Sequence, residues 1–390
     1  MIGPSMATLT YRTAGESHGK TLIAMIEGMP AGVALDKGMI DAELHRRQGG
    51  YGRGARQRIE TDQVELLTGI RRGKTTGAPL TLQVINKDIR IDEAPAVNRP
   101  RPGHADLAGS LKWLTTDCRD ILERASARET AARVAAGAVT RCLLREFEID
   151  VVGFVVAIGS AVAKDIDTSD IAQLRAARDA SEVYCPDLTA SEKMCQLIRQ
   201  AKIDGDTLGG LVEAHVFNCP PGLGSCMQYD ARLDARLAMA VMGIQAFKAV
   251  EIGLGKDAAF LPGSQVHDEI AYDPTQKNRP SLGYVRKTNR AGGLEGGISN
   301  GQPIVVRGAM KPIATLLKPL DSVDLNTHQG EKASYERSDV CAVSAAGVVM
   351  ENVVAFEVAR SMIEKFSGDS LTEMKANYQS YLVMARQLPL

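Results

Sequence analysis

The chain has 390 residues, with 46 Lys and Arg against 47 Asp and Glu, 44% hydrophobic and 24% charged; this is an ordinary globular composition, long enough to bury a large core. No apolar run approaches the roughly 18 residues that span a bilayer, and the start lacks a basic stretch followed by an apolar one. The seven cysteines include no Cys-x-x-Cys pair, which argues against a disulfide framework or zinc site and predicts a reduced, cytoplasmic protein with no membrane partner.

The near-neutral total conceals an asymmetry. Residues 1–145 carry 22 basic against 16 acidic side chains and the remainder 24 against 31, so a phosphorylated ligand is expected at the front of the chain. Residues 1–5 read as a tag or alternative start, with Met6 the natural first residue, and 1–7 as a flexible beginning. Residues 9–13 and Thr21–Glu27 alternate as strands. They are joined by Gly15-Glu-Ser-His-Gly19, where glycines let the backbone approach a ligand and a histidine can exchange protons. Asp36 caps a predicted helix ending at Gln48, before Gly49-Gly50.

The stretch Arg46-Arg-Gln-Gly-Gly-Tyr-Gly-Arg-Gly-Ala-Arg-Gln-Arg58 places five arginines in 13 residues, with no acid between Leu44 and Ile59. Solvated charge runs mix signs and favour lysine, whereas glycine-spaced arginines suit forked binding of phosphate or carboxylate. Nucleic acid is the rival ligand; the near-neutral chain and a single tyrosine in the patch speak against it. Gly69-Ile-Arg-Arg-Gly-Lys-Thr75 has three residues between its glycines where a nucleotide P-loop needs four, so it predicts a turn. No Gly-x-Gly-x-x-Gly supports a dinucleotide fold.

Two prolines and a glycine stiffen Asn98-Arg-Pro-Arg-Pro-Gly-His-Ala-Asp106, holding His104 beside Arg99 and Arg101 ahead of a helix over 107–114. A second loop histidine in a basic setting makes an acid–base pair with His18 the expectation. Ser126 and Glu129 form a Ser-x-x-Glu capping box, which predicts a helix from Ser126 to Phe147, apolar on most faces. Arg124 and Arg128 flank that start, whose N–H groups suit an anion.

Further on, 150–159 reads as a strand, 162–190 as a polar peripheral segment, 191–202 as a helix and Gly210–Phe217 as a strand. Pro220-Pro-Gly-Leu-Gly224 turns into a long helix over 231–250, nearly apolar all round. Glycine is dense from Gly253 to Gly308, and the loop from Asn289 to Gly301 is of the functional or mobile kind. A strand over 303–307, an apolar helix over 344–366 and a closing helix at Leu371–Arg386 complete the chain. Three long apolar helices among mostly antiparallel strands predict a single α+β domain over 1–390, with helices in the middle and sheets outside.

Seven motifs stand in order over residues 8–370. They are Gly15-Glu-Ser-His-Gly-Lys20 with Glu27-Gly-Met-Pro30, Gly49-Gly-Tyr-Gly-Arg-Gly54, Arg101-Pro-Gly-His-Ala-Asp106, the run from Glu123 through Arg124-Ala-Ser-Ala-Arg128 to Gly137, Met242-Gly-Ile-Gln-Ala246, Asn289 to Gly301, and Arg337-Ser-Asp-Val-Cys-Ala342. Together they resemble the chorismate synthase family. The resemblance implies a β-α-β sandwich, a homotetramer, and a shikimate-pathway lyase. Such an enzyme converts 5-enolpyruvylshikimate-3-phosphate to chorismate and phosphate by 1,4-anti elimination, and requires reduced FMN despite no net redox change.

By the same resemblance, Arg47, Arg53, Arg56, Ser126, Arg128 and Arg337 would contact substrate. Arg124, Ala125, Ser126, Gln245, Ala246, Gly296, Lys311, Pro312, Ile313, Ala314, Thr315 and Arg337 would hold the flavin, with Gly292, Gly293, Gly296 and Gly297 permitting close approach. His18 would protonate the departing phosphate, His104 would serve the reduced ring, and Asp339 beside Arg337 would help restore the flavin's protonation state. No large insertion suggests a built-in reductase, so reduced FMN is expected from a separate flavin reductase. Were NADPH the direct reductant, Arg47 and Arg53 would suit its phosphate. A phosphoester lyase without flavin dependence is the nearer rival. A Ser126 hydroxyl that binds ligand is not free to cap its helix, and both roles stay open.

Overall fold

The computed structural model describes residues 8–54, 59–336 and 338–388. Its front runs β1 (Thr10–Ala14), β2 (Thr21–Glu27), α1 (Lys37–Gln48), β3 (Val64–Leu66), a hairpin of β4 (Ile70–Arg71) and β5 (Lys74–Thr75), then β6 (Leu80–Ile85). Three helices follow: α2 (Asp106–Trp113), α3 (Arg119–Ala125) and α4 (Thr130–Arg145). Next come β7 (Asp150–Ile158), β8 (Ala161–Val162), α5 (Ile171–Asp179), α6 (Leu188–Asp204), β9 (Gly210–Phe217), α7 (Leu233–Met242) and β10 (Phe247–Ile252). The small strands β11 (Ile270–Tyr272), β12 (Tyr284–Arg286), β13 (Leu294–Glu295) and β14 (Ile298–Ser299) lead to β15 (Ile304–Met310). The hairpin β16 (Asp321–Val323) and β17 (Gly330–Lys332) precedes α8 (Val343–Phe366) and α9 (Leu371–Arg386).

Alternation decides the pairing. In β2 and β6, Leu22, Ala24 and Ile26 lie opposite Val84, Leu82 and Leu80, and all six are buried, so one face of the sheet β1-β2-β6-β3 is a continuous apolar surface. The five-stranded sheet β10-β15-β9-β7-β8 is antiparallel throughout and sets Val212, Ala214 and Val216 against Gly308, Val306 and Ile304. Helix α4 packs on the first sheet, α8 packs on the second, and the two helices pack on each other. All of α8 is buried except Arg360, Glu364 and Lys365, as expected of a helix covered on every side. Contact between α4 and α8 is close because Gly137 has no side chain: a Cβ there would stand 2.2 Å from the Asn352 carbonyl oxygen.

Several expectations need correction. The helix predicted over 231–250 ends at Met242, and its last four residues, 247–250, belong to the strand β10. Gly243 caps the helix, Ala246 turns the chain with φ 69°, and Phe247 pairs with Met310 of β15. Helix α7 is also one-sided: Leu233, Leu237 and Val241 are buried, whereas Met239 is 64% exposed. There are thus two long central helices, α4 and α8.

The segment 162–190 is not merely peripheral. From α5, Leu174 joins Val152, Phe154 and Phe217 in a second small core, and buried Arg178 reaches Glu351 of α8 at 3.3 Å. The capping box at Ser126 does not form. The Ser126 hydroxyl accepts the Arg128 N–H at 3.3 Å, while Glu129 turns to Thr13, Arg133 and Gln245. The helix opens with a 3-10 turn, Ala127–Glu129, before α4 proper. A complete capping box does form between Ser370 and Glu373 at the start of α9. Among the described residues, no helix is long and apolar enough to cross a membrane.

Candidate active site

A cleft of about 610 Å³ opens where the β1–β2 loop, the loop after α1, the α3–α4 junction and the start of α8 meet the 101–105 loop, the end of α7 and residues 311–315. A cleft of that size takes a drug-sized ligand or cofactor.

One wall is cationic. Arg47 comes from the last turn of α1, Arg53 from the glycine-rich loop that follows, and Arg128 from the 3-10 turn before α4. Buried Asp62 aims two of them, accepting from Arg47 Nη2 at 2.6 Å and from Arg128 Nη1 at 2.7 Å. Arg128 Nε also donates to Asn86 at 2.9 Å. Asp339 accepts the Gly54 N–H at 2.6 Å and pairs with Arg53 at 3.1 Å, which ties the arginine loop to the approach of α8. Burial, opposed by Asp62 but reinforced by the charges of Arg128 and Arg53, lowers the Arg47 pKa. Burial also works to raise Asp62, but its two arginines outweigh it and hold the carboxyl below its ordinary range. Even so, among the described residues Arg47 Nε and Arg53 Nε are buried without a hydrogen-bond acceptor, and Arg128 Nη2 has only an ion pair with Glu60 at 3.5 Å. Buried donors without acceptors cost about 1–3 kcal/mol each, more when charged, so this wall is built for an anionic ligand.

The arginine run is not one patch. Arg46 turns inward to Glu43 and Glu351, at 2.6 Å each, which takes it out of the run's basic surface. Arg56 and Arg337 lie outside the described residues.

Both predicted histidines line the cleft, and each presents Nδ1 to a buried carboxylate. His18 Nδ1 stands 2.8 Å from Glu123 Oε1, and its main-chain N–H donates to Glu123 Oε2 at 2.8 Å. His104 Nδ1 is 2.5 Å from Asp106 Oδ1, and Asp106 also accepts from Arg101 Nε at 2.8 Å. Burial raises both carboxyls, but the histidine bonds, joined by Arg101 at Asp106 and Arg119 at Glu123, prevail and keep each below its ordinary pKa. Each ring therefore has its second nitrogen, Nε2, available for proton exchange.

Of the residues expected at the flavin, Ala125, Ser126, Gln245, Ala246, Lys311, Pro312, Ile313, Ala314 and Thr315 line the same cleft. Gln245 Nε2 donates to Glu129 at 3.2 Å, leaving its buried Oε1 without a donor. The αL backbone of Ala246 is strained for a residue with a Cβ, by about 1–2 kcal/mol, and faces the chain into the cleft. Lys311 donates to the Gly103 carbonyl at 2.7 Å; burial, then the charge of Lys248, lower its pKa.

Two expected contacts are placed elsewhere. Arg124 does not line the cleft; it donates to the carbonyls of Gly15 and Thr13 at 2.7 and 3.1 Å and so braces the His18 loop from outside. Gly296 lies in the β13–β14 hairpin at the N-terminal end of α7, where Gly297 accepts from Leu233 N–H. That is the end of α7 opposite Ile244, Gln245 and Ala246, which line the cleft. Its neighbours have reasons of their own to be glycine: a Cβ on Gly292 would meet the Gly253 nitrogen at 2.4 Å, and one on Gly293 the Pro303 carbonyl at 2.4 Å.

Sequence reasoning missed Asp62, Asn86, Glu123 and Asp106 as partners, and Arg90, Lys248 and Glu60 as lining residues. Only Arg101 and Asp106 carried a signal, as close neighbours of His104 in one stiff loop; Asp62 and Glu123 carried none, since they reach Arg47 and His18 from 15 and 105 residues away.

A sequence profile of the chorismate synthase family matches residues 9–363. The chain is 53% identical to the chorismate synthase of Desulforamulus reducens and 54% identical to that of Pelobacter propionicus, in each case over 97% of this chain and 100% of the relative. It also superposes on a crystal structure of chorismate synthase with a TM-score of 0.80 at 40% identity, covering 98% of this chain and 100% of the other. The chain belongs to the chorismate synthase family.

Proposed function

We propose that this chain is a carbon–oxygen lyase of the shikimate pathway that converts 5-enolpyruvylshikimate-3-phosphate to chorismate and phosphate by 1,4-anti elimination, with reduced FMN. The observation that carries this is the cationic wall of Arg47, Arg53 and Arg128, in which Arg47 Nε and Arg53 Nε are buried with no acceptor among the described residues, in a cleft edged by two carboxylate-held histidines. The substrate brings a phosphate and two carboxylates, and FMN another phosphate, which are the acceptors such a wall requires. The residues fit a flavin as well: Gln245 Oε1 offers an acceptor to a ring N–H, and Lys311 with Thr315 offers donors to a phosphate. A β-α-β sandwich is supported by α4 and α8 lying between the two sheets, and a homotetramer is the expected assembly.

Reduced FMN, when bound, supplies an electron-rich ring beside the substrate and is not consumed. Arg47, Arg53 and Arg128 orient the anionic groups, with Ser126 at the edge of the same wall. As the C–O bond to phosphate breaks, its electron pair leaves with the phosphate, and a protonated His18, its Nδ1–H on Glu123, hands the Nε2 proton to that oxygen. The C6 hydrogen leaves as a proton to solvent on the flavin side of the cleft, solvent returns a proton to His18, and the C–H bonding pair stays in the new diene, so atoms and charge balance with no net redox change. His104 Nε2 holds a proton on the flavin side. Asp339, tied to Arg53 and Gly54, holds Arg53 at the cleft wall.

A positioned acid contributes roughly 10²–10⁴ in rate. His18→Ala is therefore expected to lower kcat at least about 100-fold while binding FMN and substrate as before; unchanged turnover would remove His18 from the mechanism. Anaerobic phosphate release with chemically reduced FMN, compared with FMN plus NADPH, tests the function and the source of electrons together. We expect release only in the first case, with a separate flavin reductase supplying FMNH2 in the cell.

A further inference from the structure

We propose that Glu123 is a positioning residue that sets the tautomer and aim of His18, an inference that rests on the role given to His18 above. Glu123 stands on the last turn of α3, and its side chain has no solvent exposure. A buried carboxylate is costly unless its oxygens are bonded and its charge is paired. Here both oxygens go to one residue: Oε1 to the His18 ring at 2.8 Å and Oε2 to the His18 main-chain N–H, also at 2.8 Å. The Glu123 carbonyl takes the Ser17 N–H at 3.0 Å. Arg119, 3.5 Å behind the carboxylate, offsets its charge and is itself held by the Pro95 carbonyl and Glu336.

The consequence is a choice between the two ring nitrogens. A carboxylate can only accept, so it assigns the proton to Nδ1 and leaves Nε2 facing the cleft. Two groups of opposite preference stand in front of Nε2: Arg90 Nη2, 3.2 Å away, can only donate and favours a bare Nε2, while Asp88, 3.6 Å away and itself paired with Arg90 Nε at 3.2 Å, favours a protonated one. In neutral His18, Nε2 accepts from Arg90. Once Nε2 is protonated, the Arg90 contact becomes repulsive and Asp88 becomes the nearest anion. Proton exchange is thus confined to one nitrogen, the one facing the cleft, with Glu123 and Arg119 behind the ring and Asp88 and Arg90 before it.

The test is Glu123→Gln in the full-length chain with reduced FMN. We expect kcat to fall by roughly 10- to 1,000-fold, less than the 10⁴ seen when an amide replaces the carboxylate behind a triad histidine, with KM changed by less than about threefold. The basic limb of the pH–rate profile should move to lower pH, because the imidazolium loses its anion. Glu123→Asp should recover part of the loss, and in a His18→Ala background Glu123→Gln should cost nothing further. Nitrogen-15 NMR of labelled histidine reads the tautomer directly: neutral His18 protonated at Nδ1 supports the proposal. Protonation chiefly at Nε2 in the unaltered protein would overturn it even if the Gln variant did not fold. Wild-type kcat and pH profile in Glu123→Gln would overturn it too. Failure of the unaltered protein to release phosphate from the substrate would instead count against the proposed function and leave the tautomer result standing.

Discussion

At the scale of single residues, the cleft is a set of charges held in place by other charges. Arg53 has one ion-pair partner, Asp339, among the described residues, and a buried Nε without an acceptor. A hydrogen bond to a charged group is worth about 1.5–3 kcal/mol, so Arg53→Ala should raise the substrate Kd roughly 10- to 100-fold. Calorimetric titration with substrate measures this, and unaltered affinity would show that the arginine wall does not bind substrate at this point. His18 and His104 were legible because glycines and prolines frame them in short stiff loops. The carboxylate behind His18 was not, because Glu123 lies 105 residues away and only the fold makes them neighbours, whereas Asp106 stands two residues from His104 in the same loop. Arg124 and Arg128 look equivalent in the sequence, four residues apart at a helix start. The chain bends between them at Ser126, with ψ 141°, so they share no face: Arg128 enters the cleft and Arg124 grips the outside of the β1–β2 loop.

At the scale of elements, identical patterns reached different ends for local reasons. Ser126-x-x-Glu129 and Ser370-x-x-Glu373 both spell a capping box, and only the second forms. Glu129 is buried among Thr13, Arg133 and Gln245, which offer stronger partners than its own backbone, whereas Glu373 bonds only its own cap. Strands β2 and β9 and helices α1 and α9 were legible to the residue because alternation or a cap bounded them. Helix α7 was overextended because β10 is as apolar as the helix before it, and periodicity does not separate two short apolar runs. The α4–α8 contact yields a prediction of this scale. Gly→Ala in a helix ordinarily gains up to about 1 kcal/mol, but at Gly137 the new Cβ would press on the Asn352 backbone at 2.2 Å. Gly137→Ala is therefore expected to lose at least about 2 kcal/mol of stability, read as a lower urea midpoint; an unchanged or higher midpoint would mean the helices are less closely apposed.

At the scale of the whole molecule, the basic front half foretold an anion site, but much of its charge is spent inside. Arg46 and Arg141 meet Glu43 and Glu351 in the core, joined there by Arg178 from beyond the basic front, and Arg101 meets Asp106. Asp62, Asp106, Glu123, Glu129 and Glu213 are all held below their ordinary pKa by cations and hydrogen bonds that outweigh burial. They stabilise the fold above their unfolded pKa values, and that contribution is lost as pH falls through the folded ones. Glu357 behaves oppositely. Burial, only partly countered by Arg360 and Arg236, raises it from 4.5 to about 6, so its contribution is full below its unfolded value and is lost as pH rises through about 6. Glu357→Gln should thus stabilise the protein by about 2 kcal/mol near pH 8 and hardly at all near pH 4.5. Urea unfolding at both pH values decides it, and an equal gain at both would refute the assignment. The position of α8 carries one more consequence, for synthesis on the ribosome. The helix that fills the space between the sheets begins at residue 343, almost 200 residues after α4 is complete. At about 5–20 residues per second, the face of α4 that α8 will cover waits roughly 10–40 s, whereas the second sheet, complete only once β15 ends at Met310, waits roughly 2–7 s. During that interval the nascent chain is a client for chaperones, and any product that stops short of α8 has sheets with no core to close on.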